Sequence, residues 1–493
     1  MLNFFHKESK TIIGAATIVG VLSFVSRLLG LIRDRVLAGT FGAGDVLDVY
    51  YAAFKIPDLL FSLVVVGALS ASFIPIFVKI RKGRESSKKA WLFTNNILHM
   101  LGAAMVVLVI VVLAFAEPLS ALIAPGFPAF KQADVAVYMR IMILAQLLLT
   151  GSMVFGSVLQ SLRRFFLYAL APIFYNLGII FGAVVFTDWM GPIGLAWGVV
   201  FGAFLHLIVQ IFGIRNVGYR YQFSFSFKDP DTRELIRLTG PRLLGIATSQ
   251  ILFIILAILA SGLSAGSVTI FQFAYNIQFF AVGIVGISFA IAAFPLLSET
   301  AGRADLKPFI ETCSSTIRQI LYLLVPMTIL FLVLRAQIVR VVVGAGEFGW
   351  PATIATADTL AFFAMTMIPQ AIVFVLVRAY FALHDTMTPL AAGIVAAIVG
   401  VVSAFLFTDT FGVIGLGMAF SLASIVNLIV LWIPLRQRLG SLDEAHISAS
   451  LLKISAAGLV CAVVMQALKP IAVSLLSLDT FIGVLSQGLF AGG

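Results

Sequence analysis

GPIGLAWGVVFGAFLHLIV, residues 191–209, returns about 220 positions later as FGVIGLGMAFSLASIVNLIV, residues 411–430, with Gly194 over Gly415, Leu195 over Leu416 and a shared Leu-Ile-Val ending. The same offset lays Gly42 on Gly262, Tyr51 on Phe271 and Pro75 on Pro295. The chain is therefore an internal duplication, and each copy is built from long apolar segments. Of its 493 residues, 61% are hydrophobic and 11% charged, against about 25% charged in a soluble domain. That balance excludes a soluble enzyme. Stretches such as Met105 to Ala114, MVVLVIVVLA, do not alternate as barrel strands do, which leaves an all-α polytopic membrane protein.

Apolar runs bounded by charge, Gly or Pro predict six spans near 11–38, 46–78, 91–116, 135–160, 166–187 and 192–213. Six more fall near 240–261, 268–296, 313–334, 354–381, 388–408 and 412–435, and a last pair near 447–468 and 470–490. The expectation is about 14 transmembrane helices: an N-terminal lobe over 1–222, a C-terminal lobe over 223–440 and two additional helices over 441–493. An even number of spans per copy makes the repeats parallel, which is a transporter architecture of two lobes around a central cavity. The first apolar stretch follows His6, Lys7, Glu8 and Lys10, has no small-residue cleavage site, and reads as a retained span.

The segment Lys79 to Lys89, KIRKGRESSKK, carries six basic residues against one Glu and marks a cytoplasmic loop. Alternation from there places the N-terminus, Arg163/Arg164, the linker Arg215–Arg237, Arg303/Lys307, Arg378 and Arg436/Arg438 on the same side. The net charge of +10 is thus an orientation signal, and nucleic acid is dropped as a partner. Within the linker, Asp229, Pro230 and Asp231 supply turn and N-cap chemistry ahead of an amphipathic helix over Phe227–Pro241. Cys313 and Cys461 form no framework, and five scattered histidines form no ligand motif, so neither a metal nor a cofactor is expected.

Charges inside spans are expensive and point to function. They gather in the first two spans. Arg27 and Asp34 are seven apart on one helix face, with Arg33 and Arg35 beside them. Asp48, Tyr51, Lys55, Asp58 and Ser62 follow at spacings of three and four, one polar stripe on an apolar helix. The functional reading is that Arg27, Arg33 and Lys55 attract an anionic substrate, the guanidinium forks suiting phosphate, while Asp34, Asp48 and Asp58 hold them or switch pairing. The competing reading is mutual neutralisation between helices, or a position at the outer interface near the span ends for Arg33, Arg35 and Asp45 to Asp48. The C-terminal lobe offers only neutral polarity: Gln250, Gln272, Asn276 and Gln278. Prolines at 57, 172, 326 and 369 can each bend a span.

SRLLGLIRD (26–34), FGAGDVLDVYYAAFKIPDLL (41–60), GALSASFIPIF (67–77), FPLLSE (294–299) and RAYFALHDTMTP (378–389) together resemble the MurJ (MviN) family, bacterial lipid II flippases of the multidrug/oligosaccharidyl-lipid/polysaccharide exporter superfamily. The resemblance covers roughly residues 11–440 and implies a central cationic cavity, a lipid-tail groove formed with the last two spans, and translocation of the peptidoglycan precursor to the outer leaflet. The family's first-span arginines match Arg27 and Arg33, its aspartates Asp34 and Asp48, and its AFKxP lysine Lys55. This chain departs at Phe61 and Val66, where many members carry an arginine and a glutamate, and at Asn276, where the eighth span usually has an arginine. Leu256 replaces the seventh-span carboxylate of cation coupling, and the eleventh span holds no acid.

The function expected from this resemblance is lipid II flipping by alternating access. The drive is read as membrane potential or a cation gradient, in a bacterial inner-membrane monomer whose partners are lipid II, membrane lipids and cell-wall synthesis proteins. A flippase for another polyprenyl-linked glycan is the runner-up, and a drug/cation antiporter comes third. An enzyme is not expected, because no positioned acid and base appear outside the first two spans.

Overall fold

The structure, a computed structural model, describes residues 12–69, 73–81, 86–303, 305–475 and 481–492, and among these it contains no strand. His6, Lys7, Glu8 and Lys10, residues 82–85 of the basic loop and residues 476–480 of the last expected span lie outside the described residues. The first half comprises α1 (Ile12–Phe41), α2 (Asp45–Phe61), α3 (Ile74–Arg81), α4 (Ser86–Ile123), α5 (Ala129–Ser161), α6 (Phe165–Phe181) and α7 (Gly194–Arg215). After the linker come α8 (Pro230–Ser261), α9 (Ser267–Val282), α10 (Ser288–Ala301), α11 (Lys307–Val333), α12 (Arg335–Val342), α13 (Trp350–Met365), α14 (Met367–Ala382), α15 (Met387–Phe411), α16 (Val413–Leu439), α17 (Glu444–Leu475) and α18 (Phe481–Gly492).

Ten helical runs among the described residues are long and apolar enough to cross a membrane. Four of the fourteen expected spans are not counted separately among these ten, which leaves the exact number open. The run Phe165–Arg215 holds two expected spans in one, α6 and α7. α1 is interrupted by Arg27, Arg33, Asp34 and Arg35 and is not among the ten. α8 carries the charged linker in its first turns and is apolar over Gly245–Ser261. That linker helix is thus continuous with the seventh span, and the expected cap is present: Asp229 Oδ2 accepts Thr232 N and Thr232 Oγ1, both at 2.8 Å.

Two compact units divide the chain, one of Met1–Thr40 and Asp45–Gln250, the other of Phe41–Gly44 and Ile251–Gly493. The division falls inside α8, whereas the composition shift marks 222/223, and α17 packs along α11 within the second unit.

The duplication is written in the backbone. Arg163 and His384 both adopt left-handed φ, 58° and 60°, and Gly191 and Gly412 do the same at 68° and 56°. α2 runs into a π-turn at Ser62–Val66, and α9 into one at Gly283–Ile287. Each pair is separated by about 220 residues. The left-handed Gly191 turns α7 back on α6, and the contact is glycine on glycine. A Cβ on Gly178 or on Gly182 would lie 2.3 Å from the Cα of Gly202 or of Gly198, so only hydrogen fits at this crossing.

Candidate functional site

The polar groups of the first unit converge on α1 and α2. Arg33, at 22% side-chain exposure, lays Nε and Nη2 on Asp34 Oδ1 at 3.0 and 2.8 Å, and Asp34 is almost wholly buried. Its remaining arm, Nη1, donates to Asn176 Oδ1 at 3.1 Å. Asn176 sits on α6, one turn past Pro172, and its Nδ2 donates to Pro172 O at 3.1 Å and Ser26 O at 3.3 Å. A single amide thus ties α1 to α6 and orients the guanidinium. Pro172 also has no N–H, so Tyr168 O loses its helical donor and takes Gln210 Nε2 at 3.4 Å instead.

Along α2 the predicted stripe runs from buried to exposed. Asp48 is 1% exposed and accepts Lys131 Nζ at 3.2 Å, while Asp45 accepts the same ammonium at 2.7 Å. Lys131 is itself 3% exposed, with Nζ 3.8 Å over the Phe127 ring. Tyr51 is buried one turn on, Lys55 is half-buried, and Asp58 is exposed, its Oδ1 accepting Gln146 Nε2 at 3.1 Å from α5. Ser62 Oγ accepts Gln250 Nε2 at 2.8 Å as the π-turn begins. Deeper still, Ser152 Oγ and His206 Nδ1 lie 2.6 Å apart.

The structure therefore groups Arg33, Asp34 and Asn176; Asp45, Asp48 and Lys131; and Asp58 with Gln146. Arg27 is half-buried on α1, two turns before Asp34. Asn276 lies in the second unit, where its Oδ1 accepts Gln272 Nε2 at 2.8 Å. It neighbours an aromatic cluster in which Tyr275 packs on Phe253 at 4.7 Å and on Phe279 at 5.5 Å between ring centres. Leu256, at the departed carboxylate position, is fully buried. Sequence reasoning did not find Lys131, Gln146 or Asn176. Their signal was available: Gln146 and Asn176 are lone amides in ILAQLLLT and IFYNLGII, and a lone amide needs a buried partner.

The geometry suits holding an anion. Breaking a buried ion pair by removing one partner costs about 3–5 kcal/mol, so Asp34 and Asp48 keep Arg33 and Lys131 fixed. Arg27 and Lys55, like Arg33, are half-buried. Among the described residues no three His, Cys, Asp or Glu side chains come together to hold a metal ion.

A family model described as lipid II flippase MurJ matches residues 37–483. A probable lipid II flippase MurJ of Buchnera aphidicola subsp. Baizongia pistaciae is 26% identical over 449 residues, 90% of this chain and 87% of that one. The counterpart bearing the same name in Rhizobium tropici is 28% identical over 437 residues, 85% of this chain and 80% of that one. Among solved structures, a lipid II flippase MurJ in an inward closed conformation superposes with a TM-score of 0.80 at 22% identity, covering 96% of each chain. An inward-facing multidrug resistance MATE family transporter of the MOP superfamily follows with 0.73 at 15% identity, covering 86% of this chain and 99% of that one. These two likenesses establish the fold.

Proposed function

The chain belongs to the MurJ family of lipid II flippases, and on that premise we propose that it moves lipid II across the bacterial inner membrane with Arg27, Arg33 and Lys55 receiving the diphosphate. The observation that carries the reading is the family match over 37–483, which takes in Lys55, together with the Arg33 fork held by Asp34 and Asn176 just ahead of it. A guanidinium already held in plane by Asp34 and Asn176 can receive a phosphate oxygen without a further ordering cost. Asp34 and Asp48 position the cations, and Asp58 lies at the exposed end of the same stripe.

The apolar helix faces leave the polyprenyl tail in lipid, as exposed Val107, Ile110 and Leu122 on α4 illustrate. Only the headgroup then needs a polar path, and no covalent bond changes. Charge crossing the membrane field makes the potential the proposed drive, since one elementary charge gains about 2.3 kcal/mol per 100 mV. The N-terminus is proposed to be cytoplasmic. Lys79 pairs with Glu234 and Lys89 with Asp231, both at 2.9 Å, joining two basic segments that charge bias assigns to that side.

One observation favours a second reading, a flippase for another polyprenyl-linked glycan: neutral Asn276 and Phe61 stand where the resemblance implies cations. Purified protein in liposomes loaded with lipid II in one leaflet, beside an undecaprenyl-linked oligosaccharide, decides between them. Movement of lipid II supports the first reading; movement of only the comparison lipid supports the second.

A further inference from the structure

Away from α1 and α2, the second unit contains a cleft of about 570 Å³ where the end of α10 meets the start of α11. Glu299, Thr300, Arg303, Glu311, Ser315 and Arg318 line it. A second hollow of about 380 Å³ adjoins it, sharing Ser315 and Arg318 but otherwise lined mainly by Phe289, Tyr322 and Leu323. The pair thus has a charged compartment opening into an apolar one, the shape of an amphiphile.

The charges in the first compartment are mixed. Arg303 Nη2 is already closed on Glu299 at 2.8 Å. Glu311 and Arg318 remain on one face of α11, two turns apart, roughly 10 Å along the axis. Arg318 Nε is buried with no hydrogen-bond partner among the described residues. A buried guanidinium N–H left unmatched costs on the order of 1–3 kcal/mol, and an acceptor entering the cleft would relieve it. Behind Arg318, Asp443 is occupied by Ser314 Oγ at 2.6 Å and by His446 at 2.5 Å.

The geometry points to a zwitterionic aminophospholipid seated here, its phosphate on Arg318, its ammonium on Glu311, and an acyl chain along Phe289, Tyr322 and Leu323. A headgroup carrying only negative charge would meet Glu311, with Asp443 behind Arg318, and would leave Glu311 uncompensated, whereas Glu299 is already paired with Arg303. The zwitterion matches both signs. On the orientation proposed above, the cleft opens at the cytoplasmic leaflet, and the site is separate from the diphosphate-binding residues of the first unit.

The test uses the full chain, purified in detergent and stripped of lipid. It is titrated with phosphatidylethanolamine, phosphatidylglycerol or diacylglycerol of one acyl composition, and bound lipid is counted by native mass spectrometry. One phosphatidylethanolamine per chain is expected, held on the order of tenfold better than either comparison lipid, as charge-assisted contacts at both ends require. Arg318→Gln and Glu311→Gln should each erase that preference while melting like the parent without lipid. Equal retention of the three lipids, or an unchanged preference in both variants, overturns the site. If Arg318→Gln does not fold, Glu311→Gln, on an exposed residue, decides alone.

Discussion

In the first unit the helices enclose Arg33, Asp34, Asp48, Lys131, Gln146 and Asn176. On the corresponding helices of the second unit Phe253, Phe271, Tyr275, Phe363 and Phe420 pack ring against ring, relieved by neutral Gln272, Asn276 and Gln278. Both units nevertheless share the left-handed residues at 163 and 384, the glycine turns at 191 and 412, and the π-turns. The difference teaches that backbone and chemistry diverge separately. Glycines and turns build the lobe twice, and the buried ion pair of Asp48 with Lys131 and the Arg33 fork on Asp34 and Asn176 stand in the first copy.

The largest expected effect strikes what the units share. A Cβ on Gly194 would lie 2.5 Å from Phe186 C, and one on Gly415 2.5 Å from Phe407 O. Gly194→Val and Gly415→Val should each lose most folded protein, since overpacking by backbone contact costs about 1–3 kcal/mol or more. Fluorescence-detected size exclusion reads this directly, and a tolerant second unit would break the equivalence.

Next comes the charge that only the first unit holds. Lys131→Met strands buried Asp48, which should cost about 3–5 kcal/mol and lower the melting temperature, with Asp48→Asn in the same chain restoring much of it. Additive losses in that double variant would dissolve the pair. Arg33→Lys keeps the charge but gives up the fork between Asp34 and Asn176. Lipid II transport should fall by on the order of tenfold or more with little change in melting, because one ammonium cannot serve both partners in plane.

The smallest effect lies outside the spans. Asp443 sits below the ordinary aspartate range because Ser314 donates to its carboxylate and His446 lies against it. A carboxylate held low adds stability that is present above its unfolded pKa and lost as pH falls through its folded value. Asp443→Asn should therefore melt slightly below the parent at pH 7, and the gap should close in acid. A gap independent of pH would mean the carboxylate charge does not matter.

Much of this was legible in the chain. Apolar length gave the membrane class, the 191–209 and 411–430 match gave the duplication, and the SRLLGLIRD and AFKIPD stretches led to the polar face. Span boundaries were less legible, since α6 and α7 fall in one apolar run and α8 fuses a charged linker to a span. The partners of the charges were not legible either. Lys131 reaches Asp48 across 83 positions and Asn176 reaches Arg33 across 143, and no local spacing encodes such contacts.

Headgroup recognition is proposed to belong to the first unit. Lipid II flipping in proteoliposomes should be compared for the parent, Arg27→Ala and Asn276→Ala, with each variant shown to melt as the parent does. Arg27→Ala is expected to abolish movement and Asn276→Ala to retain most of it. Normal flipping by Arg27→Ala together with loss in Asn276→Ala would contradict it and move recognition to the aromatic half.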